Sequence, residues 1–305
     1  MSIFSPTENG FFFSKKDPLD PRLGDFVVRA NGDVVLWGYP DDEGIRNNGG
    51  RPGAALGPQR IRYYFYRLTP HPSVNPQKIV DLGDLKIEGD LSSRHRSAVS
   101  ALSNEISGIA PRSVSLGGGH DYAWVDGSVL LARYPQILLI NFDAHLDVRP
   151  DDKGINSGTP FFRLLRDYPE RVRIVQIGTQ GHCNSQEHRK WAKKNGVRII
   201  STSLLRSWDS PRERLRDLLG DWQMLPCFLS IDIDGFSTSE APGCSQSWPD
   251  GLHWTEFQPL FRWALENLRI PHLGIYEVSP PLDVADCTSK LAAMLIWNYL
   301  FLGKA

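Results

Sequence analysis

Short apolar runs rich in β-branched residues recur along the chain, and segments long enough for helices separate them. Most of the runs are continuously apolar, which is typical of strands in a parallel sheet covered on both faces. The predicted strands are Val34–Gly38, Ile79–Leu82, Ser113–Leu116, Ile137–Phe142, Val172–Gly178, Val197–Ile200, Cys227–Ile231 and His272–Tyr276. The predicted helices are Pro58–Tyr66, Arg94–Ser107, Tyr122–Tyr134, Pro160–Asp167, Ser185–Asn195, Ser210–Leu219, Thr255–Leu268 and Val284–Leu300.

This alternation of strands and helices predicts a three-layer α/β domain with right-handed crossovers. Eight strand–helix units would also suit a TIM barrel, so periodicity alone leaves the two folds open. No internal repeat or linker interrupts the chain, and we predict one domain over residues 1–305. Residues 1–30 are expected to form a loosely structured N-terminal extension.

The composition favours a small-molecule partner. The chain has 305 residues, 41% of them apolar, which is enough for a large core. Lys and Arg total 34 against 35 Asp and Glu, so no basic surface is predicted for nucleic acid or an anionic membrane. No apolar stretch approaches the roughly 20 residues that span a bilayer, and no apolar run near residue 1 is long enough for a signal sequence, so a cytoplasmic location is expected. Four cysteines without C-x-x-C spacing are expected to be reduced: Cys183, Cys227, Cys244 and Cys287.

Acidic and imidazole side chains directly follow four of the predicted strands. The residues are His120 after SVSLGGG, Asp143, His145 and Asp147 after ILLINF, Asp232 and Asp234 after CFLSI, and Glu277 after HLGIY. In open α/β sheets and in barrels, the carboxyl ends of the strands form the ligand crevice. Four distant segments are therefore predicted to bring these side chains to one rim.

Each motif has a structural interpretation when it is taken alone. D-x-H-x-D can be a solvated charge run at a strand end, D-x-D can mark a turn or a phosphate site, and G-G-G-H can be a tight turn with a capping histidine. The occurrence of all three after apolar strands favours a functional site. Inward-facing charges would cost several kcal/mol each if they were unpaired, and divalent cations remove that penalty.

The donor types indicate the metal. A set of two imidazoles and four carboxylates suits Mn²⁺ better than Zn²⁺, which prefers thiolates. Six ligands with four negative charges favour two ions, bridged by carboxylates and a water, over a single ion. Two ions that share a water lower its pKa far below the bulk value of about 15.7, which provides a nucleophile at neutral pH.

The segments S-L-G-G-G-H-D, N-F-D-A-H-L-D and S-I-D-I-D-G-F, with a later A-P-G, resemble the signature segments of the ureohydrolases, which are the arginases, agmatinases and formimidoylglutamases. The resemblance extends from about Gly38 to the C terminus. The segments at 42–62, 156–163 and 277–283 are most similar to the formimidoylglutamase branch. The resemblance implies a doubly wound, mostly parallel eight-stranded sheet instead of a barrel, and assembly into a homo-oligomer.

The resemblance also implies roles for the site residues. Two Mn²⁺ ions per chain would be held by Asp143 and Asp232 as bridges, by His120 and Asp147 in one site, and by His145 and Asp234 in the other. Glu277 matches the family glutamate that holds the cationic amidine or guanidine group. Asp147 would relay a proton to the leaving nitrogen. For formimidoylglutamate, an intermediate of histidine degradation, the products would be glutamate and formamide.

Departures from the family pattern bear on the substrate. Arginases and agmatinases carry a histidine where this chain has Ser157, which argues against arginine or agmatine. A dicarboxylate substrate requires cationic groups, and Arg149 lies on the predicted rim. Predicted substrate contacts are Arg149, Asn156, Ser157 and Glu277, while Arg46, Arg51 and Arg163 in family-like loops are further candidates.

Two alternatives stay open. One is a hydrolase of another guanidino compound, and the other is a metal-binding relative that has lost catalysis, although all six ligand positions are intact. Ser237-Thr238 replaces the Asp-Pro of many members, and the stretch Cys244–Pro249 is unusual. Trp248 in that stretch is predicted near the pocket mouth. The other histidines, interpreted as surface or core residues, are His182, His188 and His253.

Overall fold

A central β-sheet organises the computed structural model, which describes residues 3–7, 9–105 and 110–303. Its strands are β1 (Phe4–Ser5), β2 (Val34–Gly38), β3 (Ile79–Leu85), β4 (Arg112–Leu116), β5 (Ile137–Phe142), β6 (Val172–Thr179), β7 (Arg198–Ser201), β8 (Cys227–Asp232) and β9 (His272–Tyr276). The order across the sheet is β1-β3-β2-β4-β9-β8-β5-β6-β7. All eight predicted strands are present, and β2 to β9 are parallel, which confirms the open α/β sheet.

Helices connect the strands. They are α1 (Glu43–Asn47), α2 (Gly57–Phe65), α3 (Leu91–Glu105), α4 (Ala123–Arg133), α5 (Pro160–Asp167), α6 (Gln186–Lys194), α7 (Thr202–Arg206), α8 (Pro211–Leu219), α9 (Trp254–Asn267) and α10 (Cys287–Leu302). The predicted end of the third helix at Ser107 lies outside the described residues. The five-residue helices α1 and α7 were not predicted, because one turn is too short to show a helical period. No helix in the described ranges is long and apolar enough to cross a membrane.

Two apolar layers cover the sheet, one on each face. Successive residues of β2 point to opposite sides, so Val34 and Leu36 join one cluster while Val35 and Trp37 join the other. Helices α2, α9 and α10 pack on the first face, and α3 to α5 pack on the second. Burial on both faces explains why the strand sequences are continuously apolar.

The N-terminal segment is more ordered than the sequence predicted. Strand β1 pairs antiparallel with β3 through Phe4 and Leu85, and it adds a ninth strand at the sheet edge. Leu23 is fully buried, and its backbone N–H donates to Leu68 O (2.9 Å). The described part of residues 1–30 is therefore attached to the rest of the protein at β1 and Leu23, with irregular backbone and short turns between them. Two-residue pairing and single buried side chains leave no periodic signal in the sequence.

Candidate metal centre

The predicted metal ligands come from four strands that are neighbours in the middle of the sheet. In the order β4-β9-β8-β5, these strands end next to one another. His120 follows β4 after three glycines, and Asp143 follows β5 directly. Asp232 is the last residue of β8, and Glu277 follows β9. The parallel register thus brings residues more than 150 positions apart to one rim of the sheet.

Four buried side chains form the first group of ligand atoms. They are His120, Asp143, Asp147 and Asp232, and their ligand atoms all lie within 4.8 Å of one another. His120 Nδ1 is 2.8 Å from Asp147 Oδ2 and 3.0 Å from Asp232 Oδ2, yet it has no hydrogen-bond partner. The other ring nitrogen, Nε2, lies 2.9 Å from Ser230 Oγ. A buried Nδ1 that faces carboxylates without a hydrogen bond is the arrangement expected for a metal ligand.

A second group consists of Asp143, His145 and Asp234. His145 Nδ1 is 3.5 Å from Asp143 Oδ1 and 3.2 Å from Asp234 Oδ2. Asp143 belongs to both groups, because its Oδ2 faces His120 at 3.3 Å while its Oδ1 faces His145. This is the geometry of a bridging carboxylate. Asp232, the second bridge implied by the resemblance, groups only with the His120 side at these distances, so its bridging role stays a prediction.

Two residues of this rim have strained backbones. Asp147 has φ of 50° and Glu277 has φ of 66°, which places both in the left-handed region that non-glycine residues rarely adopt. Such conformations cost about 1–3 kcal/mol each and persist where the surrounding structure fixes them, which is common at functional sites. The sequence pattern held no signal for this strain.

The electrostatics of the rim favour cations. Burial, followed by repulsion from Asp234 and Asp143, raises the pKa of Asp232 well above its usual range. Burial is also the main cause that raises the pKa of Asp147 and of Asp234. Burial opposes a charged His120, but the neighbouring carboxylates outweigh it and raise the pKa of His120 well above the usual value. Divalent ions would relieve this crowding of negative charge, and the oxygen and imidazole donors suit Mn²⁺.

A cavity of about 220 Å³ opens onto the metal groups. Its wall includes the predicted residues His145, Asp147, Asp232, Asp234, Glu277, Arg149, Ser157 and Trp248. Gln246, in the unusual stretch Cys244–Pro249, also lines the cavity, and so do Asn48 and Cys183, which the sequence analysis missed. His182, interpreted as a surface or core residue, lines it as well and packs against the Trp248 ring at a centroid distance of 4.9 Å.

Glu277 and Arg149 give this cavity opposite charges at two places. Glu277 is 4% exposed, and its Oε1 accepts from the His120 backbone N–H (3.1 Å). Burial and the nearby Asp232 and Asp234 raise the pKa of Glu277 well above its usual value. Among the described residues, Arg149 is the only arginine or lysine that lines the cavity. A substrate with a cationic and an anionic end would match these two groups.

Arg149 is held in place by neighbouring loops. Its Nη1 donates to Asn48 Oδ1 (2.7 Å), and Asn48 Nδ2 donates to Ser157 Oγ (3.0 Å). The backbone N–H of Arg149 donates to Gly158 O (2.9 Å). The loop before α2 and the loop before α5 thus meet at the mouth of the cavity, where Arg149 and Ser157 lie side by side.

Comparison with known proteins identifies the family. The family model described as "Arginase family" matches residues 32–302. Over 274 residues the chain is 32% identical to a formimidoylglutamase of Legionella pneumophila. The matched region covers 88% of this chain and 84% of that protein. The chain belongs to the arginase family.

Solved structures of arginase-family members have the same fold. A formiminoglutamase of Trypanosoma cruzi, crystallised with Mn²⁺, superposes with a TM-score of 0.82 at 27% identity, covering 92% of this chain and 98% of that one. A formimidoylglutamase of Bacillus subtilis gives a TM-score of 0.83 at 26% identity, covering 97% and 95%. The resemblance seen in the sequence motifs is thereby confirmed, as is the doubly wound fold that it implied.

Some candidates that resemble arginase-family contacts in sequence do not reach the cavity. Asn156 Oδ1 accepts from the Gly158 backbone N–H (3.0 Å), so this side chain shapes the loop that carries Ser157 and does not line the cavity. The guanidinium of Arg51 donates to Ser245 O (3.0 Å), and that of Arg163 contacts His95 Nδ1 (3.0 Å). Arg46 is exposed and pairs with Asp42. Of the four arginines considered, only Arg149 lines the site.

Proposed function

We propose that this protein hydrolyses the C–N bond of a linear amidine, converting N-formimidoyl-L-glutamate and water into L-glutamate and formamide. The observation that carries the proposal is the cavity in which Glu277 and Arg149 face one substrate-sized space beside the metal groups. The substrate has a cationic formimidoyl end and two carboxylates, so its charges match these two residues. The formimidoylglutamase names of the relatives support the same choice.

The cofactor in this proposal is a pair of Mn²⁺ ions per chain. Asp143 and Asp232 would each bind both ions. His120 and Asp147 would complete one site, and His145 and Asp234 would complete the other. Two atoms of this set, His120 Nδ1 and Asp234 Oδ1, are buried without a hydrogen-bond partner and would be satisfied by the ions. When bound, two such ions supply a strongly acidified water as the source of the nucleophile.

Glu277 would bind and orient the amidine. Its carboxylate would accept a charge-assisted hydrogen bond from the amidinium, which is about twice as strong as a neutral one. Burial, together with the negative charges of Asp232 and Asp234, raises the pKa of Glu277. A cationic substrate group would compensate the charge of the ionised Glu277 carboxylate. Asp147, on the same cavity wall and 2.8 Å from His120 Nδ1, would carry a proton to the leaving nitrogen.

Arg149 and Ser157 would bind a substrate carboxylate at the mouth. A guanidinium has five N–H donors, and Asn48 takes one from Nη1, so donors remain for a bidentate contact with a carboxylate. Ser157 occupies the position where guanidine-cleaving relatives would carry their histidine, and it adds a hydroxyl beside Arg149. This pair favours an acidic substrate over arginine or agmatine.

A substrate panel tests the proposal directly. The Mn²⁺-loaded protein would be given N-formimidoyl-L-glutamate, arginine and agmatine, with formamide and urea measured as products. We expect formamide to form far faster than urea. Efficient urea release from arginine or agmatine would replace the proposal with a guanidino hydrolase, and no product from any substrate would favour a lapsed enzyme.

A further inference from the structure

Tyr276, which is not a predicted ligand, lies against the His120 imidazole. It is the last residue of β9, directly before Glu277, and it is fully buried. The two ring centroids are 4.8 Å apart, with 31° between the ring planes. The imidazole also meets the edge of Phe161 at 5.3 Å and hydrogen-bonds Ser230 through Nε2. The direction of Nδ1 toward the metal groups therefore depends on packing as well as on a hydrogen bond.

The Tyr276 hydroxyl is fixed by a buried carboxylate on α4. Asp126 is 1% exposed and accepts hydrogen bonds from Tyr276 and from Ser115 Oγ (2.6 Å) through Oδ2. Its Oδ1 accepts from the hydroxyl of Tyr39 (2.6 Å). Because a buried acceptor that loses a donor is left poorly satisfied, the network resists movement of any of these rings.

Two glycines provide the space in which the Tyr276 ring lies. A Cβ atom on Gly117 would lie 2.3 Å from Tyr276 Cδ1, and one on Gly274 would lie 2.2 Å from Tyr276 Oη. Both contacts are too close for any side chain larger than hydrogen. Glycine at both positions, together with the buried Asp126, therefore specifies one location for the ring.

We propose that Tyr276 is a positioning residue for the metal centre. Asp126 fixes the hydroxyl, and the fixed ring keeps the His120 imidazole oriented so that Nδ1 faces Asp143, Asp147 and Asp232. Tyr276 does not touch the reacting atoms in this assignment, and it acts through His120 alone. The inference rests on the proposed function, because it assumes that His120 binds Mn²⁺.

The chain offers a matched pair of substitutions for the test. Tyr276→Phe and Tyr39→Phe each remove one buried hydroxyl that donates to the same carboxylate, but only Tyr276 packs against His120. Mn²⁺ binding would be measured by titration calorimetry on the full-length protein, with the melting temperature recorded for each variant. We expect both variants to melt earlier by similar amounts. Only Tyr276→Phe should weaken Mn²⁺ binding, by about tenfold, as for a partner of a metal-binding histidine.

The outcomes separate this inference from the proposed function. Wild-type Mn²⁺ affinity in Tyr276→Phe, or equal weakening in both variants, would overturn the positioning role while the metal centre stands. Absence of Mn²⁺ binding in the unsubstituted protein would overturn both. If Tyr276→Phe does not fold, Gly274→Ala gives a second test, since its methyl group displaces the same hydroxyl and is likewise expected to weaken Mn²⁺ binding. Unchanged affinity in that variant would contradict the inference.

Discussion

The two halves of the candidate metal centre share Asp143 but differ in how they are enclosed. In the enclosed half (His120, Asp147 and Asp232), the His120 side chain has no exposed surface and is surrounded by Tyr276, Phe161 and Ser230. In the open half (His145 and Asp234), the His145 side chain is 17% exposed and lies on the cavity wall. Cys183 lies on the same wall, where its thiol donates to Gln180 Oε1 (4.0 Å).

This difference in enclosure predicts that the two halves bind their ions with different affinities. A ligand held on several sides loses little freedom when a metal binds, so the enclosed half should hold its ion more tightly. Of the enclosed-half ligands, Asp147 and Asp232 line the cavity but His120 does not, whereas both open-half ligands line it. The cavity therefore reaches carboxylates of both halves but the imidazole of the open half alone, so substrate would lie beside His145 and not beside His120. The following predictions test whether the halves are separable in this way.

The largest effect is expected for Asp143→Ala. This substitution removes the one carboxylate whose two oxygens face both halves, so both ions should be lost. Elemental analysis after Mn²⁺ loading should fall from two ions per chain to none. Activity should fall by roughly 10³-fold or more, because several kcal/mol of metal catalysis disappear.

The exposed Asp152 supplies the control for this substitution. Asp152→Ala also removes one carboxylate from the loop after β5, but Asp152 does not line the cavity. The Asp152→Ala protein should therefore retain both ions. An Asp143→Ala protein that keeps one tightly bound ion would show that the halves do not depend on a common bridge.

A smaller loss is expected for Asp232→Asn. The neutral amide is a poor ligand for a cation, and the structure places this side chain with the enclosed half. One ion should be lost while the fold persists. Substituting a residue that only hydrogen-bonds a metal ligand lowers activity roughly 10- to 100-fold, so replacing the ligand itself should lower it further. Metal content and circular dichroism would check both points. Turnover like that of the wild type would contradict any metal-binding role for Asp232.

Arg149→Ala should act on the substrate side alone. One charge-assisted pair lost at the cavity mouth is worth about 2–3 kcal/mol, which would raise KM for formimidoylglutamate roughly 30- to 150-fold. A carboxylate contact contributes equally to ground and transition states, so kcat should change little. Steady-state kinetics would be compared with Arg46→Ala, an exposed arginine outside the cavity. If both variants keep the wild-type KM, Arg149 does not bind substrate.

The sequence predicted those parts of this arrangement that leave local patterns. The eight main strands are continuous apolar runs, and the candidate metal ligands alternate directly after them, so the sequence alone could predict both. Arg149, Arg51 and Arg163 look alike in the sequence. The Arg51 guanidinium donates to a backbone carbonyl oxygen, and the Arg163 guanidinium contacts His95. Only these tertiary contacts distinguish the two arginines from Arg149, which lines the cavity.

Loop residues on the cavity wall were harder to predict for the same reason. Asn48 reaches the mouth because α1 packs near the loop that carries Ser157, more than 100 residues later. His182 and Cys183 reach the wall because the turn after β6 passes over the end of β5. Neither position follows from periodicity or from a motif.

The smallest effect is expected for Cys183→Ser, which alters the open half without removing a ligand. Cys183 lines the same cavity wall as His145, but it lies outside both groups of ligand atoms. A serine hydroxyl can also donate to Gln180 Oε1, and it is a weaker ligand than a thiolate for soft metals. The variant should therefore keep two Mn²⁺ ions per chain and nearly the same kcat, measured beside the buried-cysteine variant Cys227→Ser as a control for folding. Loss of one ion, or a shift from Zn²⁺ to Mn²⁺ preference, would instead make Cys183 a ligand. The open half would then have a further ligand, and the expected difference in ion affinity between the two halves would be contradicted.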